Sequence, residues 1–275
     1  MRKVIGRIVR KVCSFLPCRI KYVPVYIPVL RTELLKGRKA LITGGGSGIG
    51  YAIAEACLKA GAEVVITGRD AGKLDASVSR LCAFGRISAL RFDLLVIDEY
   101  EKAIEKIGKF DILVNNAGYV GGGSFGNTSV SEYDKVLETN LKGAYFLAQF
   151  VSRCWIKDKI QGNILNVCSA SSLRPGNSPY ILSKWGLRAL TVGMARDLIR
   201  YGIVVNGIAP GCANTPHFCS VERDDITNPG NPSGRFVTLE EVANLSVMLV
   251  SNLARMVVGD ILYVTGGAAI TTFDD

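Results

Sequence analysis

One histidine, His217, is all the imidazole the chain carries, and none of its eight cysteines is spaced as C-x-x-C. A zinc site therefore has little support, and no metal is expected. The cysteines (Cys13, Cys18, Cys57, Cys82, Cys154, Cys168, Cys212 and Cys219) are scattered along a 275-residue chain and read as free thiols of a reducing, cytoplasmic compartment. Long apolar runs are missing as well. In the first 34 residues charges interrupt every apolar stretch far short of the roughly 18 residues a membrane span needs. Arg7 and Arg10 break the place where a secretory core would sit. Acid is scarce only locally: residues 1–34 hold eight Lys or Arg against Glu33 alone (+7), and the remaining 25 basic and 23 acidic residues leave +2. The body is close to neutral, so nucleic acid is not an expected partner. With 48% hydrophobic and 21% charged residues, the composition is that of a globular chain with ample material for one large core.

Two segments follow from patterning. From Val4 to Leu16 the apolar residues Val4, Ile5, Ile8, Val9, Val12, Phe15 and Leu16 fall at helical spacing, with Arg7, Arg10, Lys11 and Ser14 opposite. Residues 1–34 are thus expected to be a basic amphipathic extension. It would make a peripheral, salt-sensitive membrane contact, with packing on the domain or organelle targeting as the alternatives. Pro17, Pro24 and Pro28 keep residues 17–30 extended. Residues 35–275 are expected to be one α/β domain.

That domain opens with a short apolar strand, Lys39–Thr43, then Gly44-Gly-Gly-Ser-Gly-Ile-Gly50, a helical pattern over Ala52–Ala60, and a second buried strand, Gly61–Thr67. Strand, glycine turn, helix and strand in about thirty residues is the context in which a dinucleotide pyrophosphate sits on a helix N-terminus. Further on, Tyr180 and Lys184 lie four apart in a helix that starts after Ser178 with Pro179 in its first turn. The phenol and the ammonium then share one face. A fixed ammonium beside a phenol favours the phenolate, which suits a proton-transfer role near neutral pH.

The spacing Thr43-Gly44-x-x-x-Gly48-Ile49-Gly50 resembles the short-chain dehydrogenase/reductase family, and the likeness runs over residues 36–268. Asp93 with Leu94, Asn115-Asn116-Ala117-Gly118, Asn140, Tyr180-x-x-x-Lys184, Pro210-Gly211-x-Ala213-x-Thr215, and the run Gly259–Gly267 follow in the family's order. The resemblance implies a single-domain, Rossmann-type, doubly wound parallel sheet with helices on both faces. It implies an oxidoreductase moving hydride between a nicotinamide and a carbonyl or alcohol carbon, with catalytic residues Asn140, Ser169, Tyr180 and Lys184. Cofactor contacts would come from Thr43, Gly44, Ser47, Gly48, Ile49, Gly50, Arg69, Asp93, Leu94, Asn116, Ala117, Gly118, Tyr180, Lys184, Pro210, Gly211, Ala213 and Thr215. Tyr180 would give its proton to the carbonyl oxygen, Lys184 would hold the ribose hydroxyls, and Asn140 a water that links Lys184 to solvent.

The chain departs from the family twice. Ser169 precedes Tyr180 by eleven residues instead of twelve or thirteen, which reads as a shortened loop, with Ser171 as the competitor. Val264-Thr-Gly-Gly267 stands where many members have V-D-G-G, and is expected to be a surface change. The second strand ends on Gly68 and Arg69, where NAD-preferring folds place an acid. An Arg there can pair with a 2′-phosphate, so NADP(H) is expected, with NAD(H) left open because Ser47 replaces a second basic residue of some relatives. The segment Cys212–Phe236 is expected to be the lid, with His217 a residue of its surface, and the substrate is unidentified. Helices near Glu132–Cys154 and Tyr180–Tyr201, with Phe146, Phe150, Trp155, Trp185 and Leu190, are expected to pair subunits in a homodimer or homotetramer. An NAD-dependent alcohol dehydrogenase and a non-catalytic dinucleotide-binding sensor are the alternative readings.

Overall fold

The computed structural model describes residues 33–213 and 225–269. The extension expected over residues 1–34 thus falls outside it except for Glu33 and Leu34, as do Thr215, His217 and the centre of the expected lid. Seven parallel strands form one sheet: β1 (Lys39–Thr43), β2 (Glu63–Gly68), β3 (Ile87–Arg91), β4 (Ile112–Asn115), β5 (Asn163–Val167), β6 (Val204–Pro210) and β7 (Ile261–Val264), in the order β3-β2-β1-β4-β5-β6-β7. The central strands β1, β2, β4, β5 and β6 are mostly apolar and largely buried on both faces, whereas the edge strands β3 and β7 are partly exposed. Alternation along each strand divides them. Ile42, Ile66, Val114 and Leu165 join one core with α1 (Gly48–Lys59), α2 (Ala71–Leu81) and α7 (Leu239–Val250). Leu41, Val65, Leu113 and Ile164 join the other with α3 (Tyr100–Ile107), α5 (Gly143–Asp158) and α6 (Pro179–Leu198). The doubly wound α/β architecture is the expected one.

Strand β1 pairs with β2 on one side and β4 on the other, Leu41 standing opposite both Val65 and Leu113. The order in which successive strands are added reverses at β1, and the carboxyl ends of β1 and β4 flank the crevice where such sheets bind ligands. Helix starts are fixed locally. Ser178 accepts from the Ile181 amide at 3.3 Å with Pro179 in the first turn. Thr238 and Glu241 form a reciprocal capping box at the start of α7. Among the described residues no helix is long and apolar enough to cross a membrane.

Three local expectations are corrected. The helix expected over 132–154 is α4 (Val130–Leu137) and α5, joined by a π-helical turn over Glu138–Lys142. Trp155 is 2% exposed and meets Phe110 edge-on with ring centres 5.7 Å apart, which makes it core and not a subunit-pairing residue. Thr265 is 3% exposed and its carbonyl accepts from Asn231 Nδ2 at 3.0 Å, so the V-T-G-G change is internal.

Candidate active site

The glycine turn after β1 is packed tightly on its inner side. A Cβ on Gly45 would stand 2.5 Å from Ile66 Cγ2. One on Gly50 would stand 2.3 Å from Asn116 Nδ2 and 2.5 Å from the Gly44 carbonyl. Gly44 itself turns at φ +65°, a left-handed conformation that glycine adopts at least cost. Gly48, at φ +56°, has nothing within 4 Å of its would-be Cβ. The turn is therefore closed behind and open in front. At that open side α1 begins with no side-chain cap from Ser47 and no acid in its first turn. Helix amides left free of carboxylates are what a pyrophosphate requires, so the residues fit a dinucleotide.

Thr43 and Asn116 support this turn from below. The buried Thr43 hydroxyl donates to the Val114 carbonyl (3.2 Å) and accepts from the Asn116 and Ala117 amides, both at 3.0 Å. Asn116 Nδ2 donates to the carbonyls of Thr43 (2.9 Å) and Gly44 (3.1 Å). These polar groups are taken up inside the protein, so their part is to hold Gly44, Gly50 and Ala117 in register across the crevice.

At the rim, Asp93 closes a tight turn by accepting from the Leu95 amide at 3.0 Å. The Leu94 carbonyl accepts from the Tyr100 hydroxyl at 2.6 Å. Burial, and then the nearby Asp93 charge, push the Tyr100 phenol up to about 12, which keeps it a donor. Arg69 follows β2, is exposed, and makes no ion pair among the described residues. Its neighbour Asp70 caps α2, accepting from the Lys73 amide at 3.1 Å.

The proton-handling residues meet beyond β4 and β5. Lys184 is 5% exposed, and its ammonium donates to the Val167 carbonyl at the end of β5 (2.9 Å). The same ammonium lies 5.8 Å from the centre of the Tyr180 ring. A Cβ on Gly118 would be 3.4 Å from Asn140 Oδ1 and 3.9 Å from Lys184 Nζ, so β4, the π turn and α6 converge here. Ser169 stands two residues past Val167, and its Oγ accepts from the Ser171 amide at 3.1 Å. Ser171 itself lies in the following 3₁₀ turn, Ala170–Leu173. Burial lifts the neighbouring Cys168 thiol to about 11, so it stays protonated and unreactive beside the serine.

Two residues of this cluster were missed in the sequence. Asn140 Oδ1 accepts from the Tyr119 amide (2.7 Å) while its Nδ2 donates to the Tyr119 carbonyl (3.0 Å) and to Ser183 Oγ (3.0 Å). Tyr119 directly follows Gly118, and Ser183 directly precedes Lys184; that adjacency was the available signal. At the end of β6, Gly211 donates to the Val264 carbonyl (2.9 Å) and Ala213 bridges to Val237, which positions Pro210–Ala213 at the same rim.

Residues 44–269 match a family model described as enoyl-(acyl carrier protein) reductase. The chain is 36% identical to gluconate 5-dehydrogenase of Gluconobacter oxydans over 248 residues, covering 86% of this chain and 96% of that one. It is 34% identical to the 3-oxoacyl-acyl-carrier-protein reductase of Aquifex aeolicus, covering 85% and 98%. Its structure matches the crystal structure of a gluconate 5-dehydrogenase from Burkholderia cenocepacia in complex with NADP and tartrate. That match has a TM-score of 0.80 and 32% identity and covers 88% of this chain and 98% of the other.

Proposed function

The chain belongs to the short-chain dehydrogenase/reductase family, and on that footing we propose that it is an NADP(H)-dependent oxidoreductase interconverting a carbonyl and an alcohol in a small molecule. The observation that carries this reading is the convergence of Tyr180, the buried Lys184 ammonium and Ser169 at the end of β5, beside an open helix N-terminus. The nicotinamide, when bound, would give or take the hydride. The side chains handle the rest. Tyr180 protonates the carbonyl oxygen in reduction and removes that proton in oxidation. Lys184, anchored by Val167, offsets the charge left on the phenolic oxygen and would hold the ribose hydroxyls of the cofactor. Ser169 accepts from the Ser171 amide and so keeps its own proton to donate to the substrate oxygen, where negative charge develops. Asn140 is the positioning residue that ties Tyr119 and Ser183 to this centre, and in this reading it would hold a water that links Lys184 to solvent.

NADP(H) is favoured because β2 ends without an acid on the ribose side. Arg69 is exposed and unpaired among the described residues, and the Asp70 carboxylate caps a helix. The remaining cofactor contacts are assigned to Ser47, Asp93, Leu94, Pro210, Gly211, Ala213 and Thr215, the last outside the described residues. The activities of the relatives make 5-ketogluconate and a 3-oxoacyl thioester the first substrates to assay. Consumption of NADPH with either would support the reading, and a higher kcat/KM with NADH would overturn the cofactor choice.

Residues 35–275 form the catalytic domain in this reading, and residues 1–34 a basic extension that binds the domain peripherally to an anionic membrane. Tyr133, Tyr145, Leu182, Trp185 and Val192 are exposed apolar residues on α4, α5 and α6, which suits a homodimer or homotetramer. A monomeric mass by light scattering at micromolar concentration would rule that assembly out.

A further inference from the structure

All seven strands begin at one end of the domain, opposite the end that carries Gly44, Ser169 and Tyr180. At this base a cleft of about 560 Å³ is lined by Arg38, Lys39, Glu63, Phe84, Arg86 and Lys109 among others. The acids here are outnumbered. Glu63 is shared by Lys39 (2.7 Å) and Arg86 (3.4 Å), and Asp111 is taken by Arg38. Lys109, and on the neighbouring turns Lys159 and Arg200, make no ion pair among the described residues.

Apolar side chains are held out on the same end. Leu253 is 71% exposed and Met256 94%, in the turn between α7 and β7. That turn is fixed. Ser251 Oγ accepts from the Leu253 amide (3.2 Å), and Asn206 Nδ2 donates to the Val257 carbonyl (2.7 Å). Arg38 ties the cleft to this turn by donating to the Val250 carbonyl at 3.1 Å. The described chain also starts here, since the Leu35 amide donates to the Ala60 carbonyl at 2.9 Å. The 32 residues before Glu33 carry eight Lys or Arg and no acid.

We propose that this base is a docking surface for an anionic membrane. Leu253 and Met256 enter the headgroup layer, Lys109, Lys159 and Arg200 face it, and the catalytic end points to solvent. The inference deepens the reading of the extension as a membrane contact, because it gives the folded domain a share in the binding. A lipid surface fits better than a second copy, since a copy would bring the same surplus of positive charge against itself.

The test is co-sedimentation of the full-length protein with phosphatidylcholine vesicles containing or lacking phosphatidylserine, at low and high salt. Two base variants are compared, Lys109→Glu/Lys159→Glu/Arg200→Glu and Leu253→Asp/Met256→Asp, with Arg7→Glu/Arg10→Glu/Lys11→Glu in the extension. All substituted positions lie outside the catalytic and cofactor-binding residues, so unchanged NADPH turnover verifies the fold. The expected result is phosphatidylserine-dependent, salt-sensitive binding of the wild type that falls about tenfold or more in each base variant. Base variants that bind as wild type does, while the extension variant is lost from the vesicles, would overturn this inference and leave the extension reading standing. A wild type that ignores phosphatidylserine overturns both. A drop in assembly mass for Leu253→Asp/Met256→Asp with unchanged vesicle binding assigns the surface to a second copy and also overturns it.

Discussion

Lys184 places its ammonium 5.8 Å from the centre of the Tyr180 ring while donating to the Val167 carbonyl at 2.9 Å. One turn of α6 supplies both side chains, and the end of β5 fixes the cation. Lys184 is 5% exposed, and its ammonium has no carboxylate partner among the described residues. A buried cation without a counter-ion is costly. The site bears that cost, which fits a role in offsetting charge on the Tyr180 phenol, whose ring centre is 5.8 Å away.

Replacing Tyr180 by Phe removes the proton donor and leaves the ring. Turnover should fall by about 10² to 10⁴, with the NADPH dissociation constant unchanged by fluorescence titration. A variant that keeps more than a few per cent of activity would remove Tyr180 from the chemistry.

Gly50→Ala tests the glycine turn by shape alone. The added methyl would meet Asn116 Nδ2 at 2.3 Å and the Gly44 carbonyl at 2.5 Å, and the latter is backbone. Overpacking of this kind costs about 1–3 kcal/mol. The strain falls on the segment proposed to face the cofactor, so NADPH affinity should drop more steeply than thermal stability. Differential scanning fluorimetry with and without NADPH separates the two effects.

The sheet and the Tyr180–Lys184 pair were legible because their signals are local. Buried strands are short apolar runs, helix spacing puts residues four apart on one face, and Ser178-Pro179 marks a helix start. The π turn at Glu138–Lys142 was not legible, because no proline or glycine interrupts those five residues. The extra residue is stabilised by tertiary contacts: it belongs to the turn from which Asn140 reaches Tyr119. Trp155 misled for a related reason. A large apolar residue near a helix end fits an interface or a core equally well, and the flat face of Gly162 decides it, since a Cβ there would lie 2.3 Å from the indole. Thr265 is buried through a carbonyl contact to Asn231, thirty-four residues away, which no local pattern encodes.

Arg69→Ala addresses the cofactor choice. A charge-assisted pair to a 2′-phosphate is worth roughly 1.5–3 kcal/mol, so KM for NADPH should rise about tenfold or more while KM for NADH stays put. Equal rises for both cofactors would mean that Arg69 shapes the adenosine pocket without reading the phosphate.

Glu241 gives the fold a pH dependence of known sign. Its carboxylate accepts from Arg235 Nη2 at 2.6 Å and Nη1 at 3.0 Å, and from the Thr238 amide at 2.9 Å. The Arg235 hydrogen bond first, and the capping contacts with Thr238 after it, hold the carboxyl below its ordinary 4.5 against the opposing effect of burial. A depressed folded value means that the native state binds its proton less readily than the unfolded chain. The contribution to stability is therefore complete above about 4.5 and is lost as the pH falls through the lower, folded value. Glu241→Gln keeps the shape and removes the charge, so it should melt below wild type at pH 7. The gap should narrow as both proteins are acidified and the wild-type carboxyl takes up its proton. Melting curves for the pair between pH 7 and pH 3 check this, and a gap that stays constant across that range would show that the ion pair with Arg235 contributes nothing to stability.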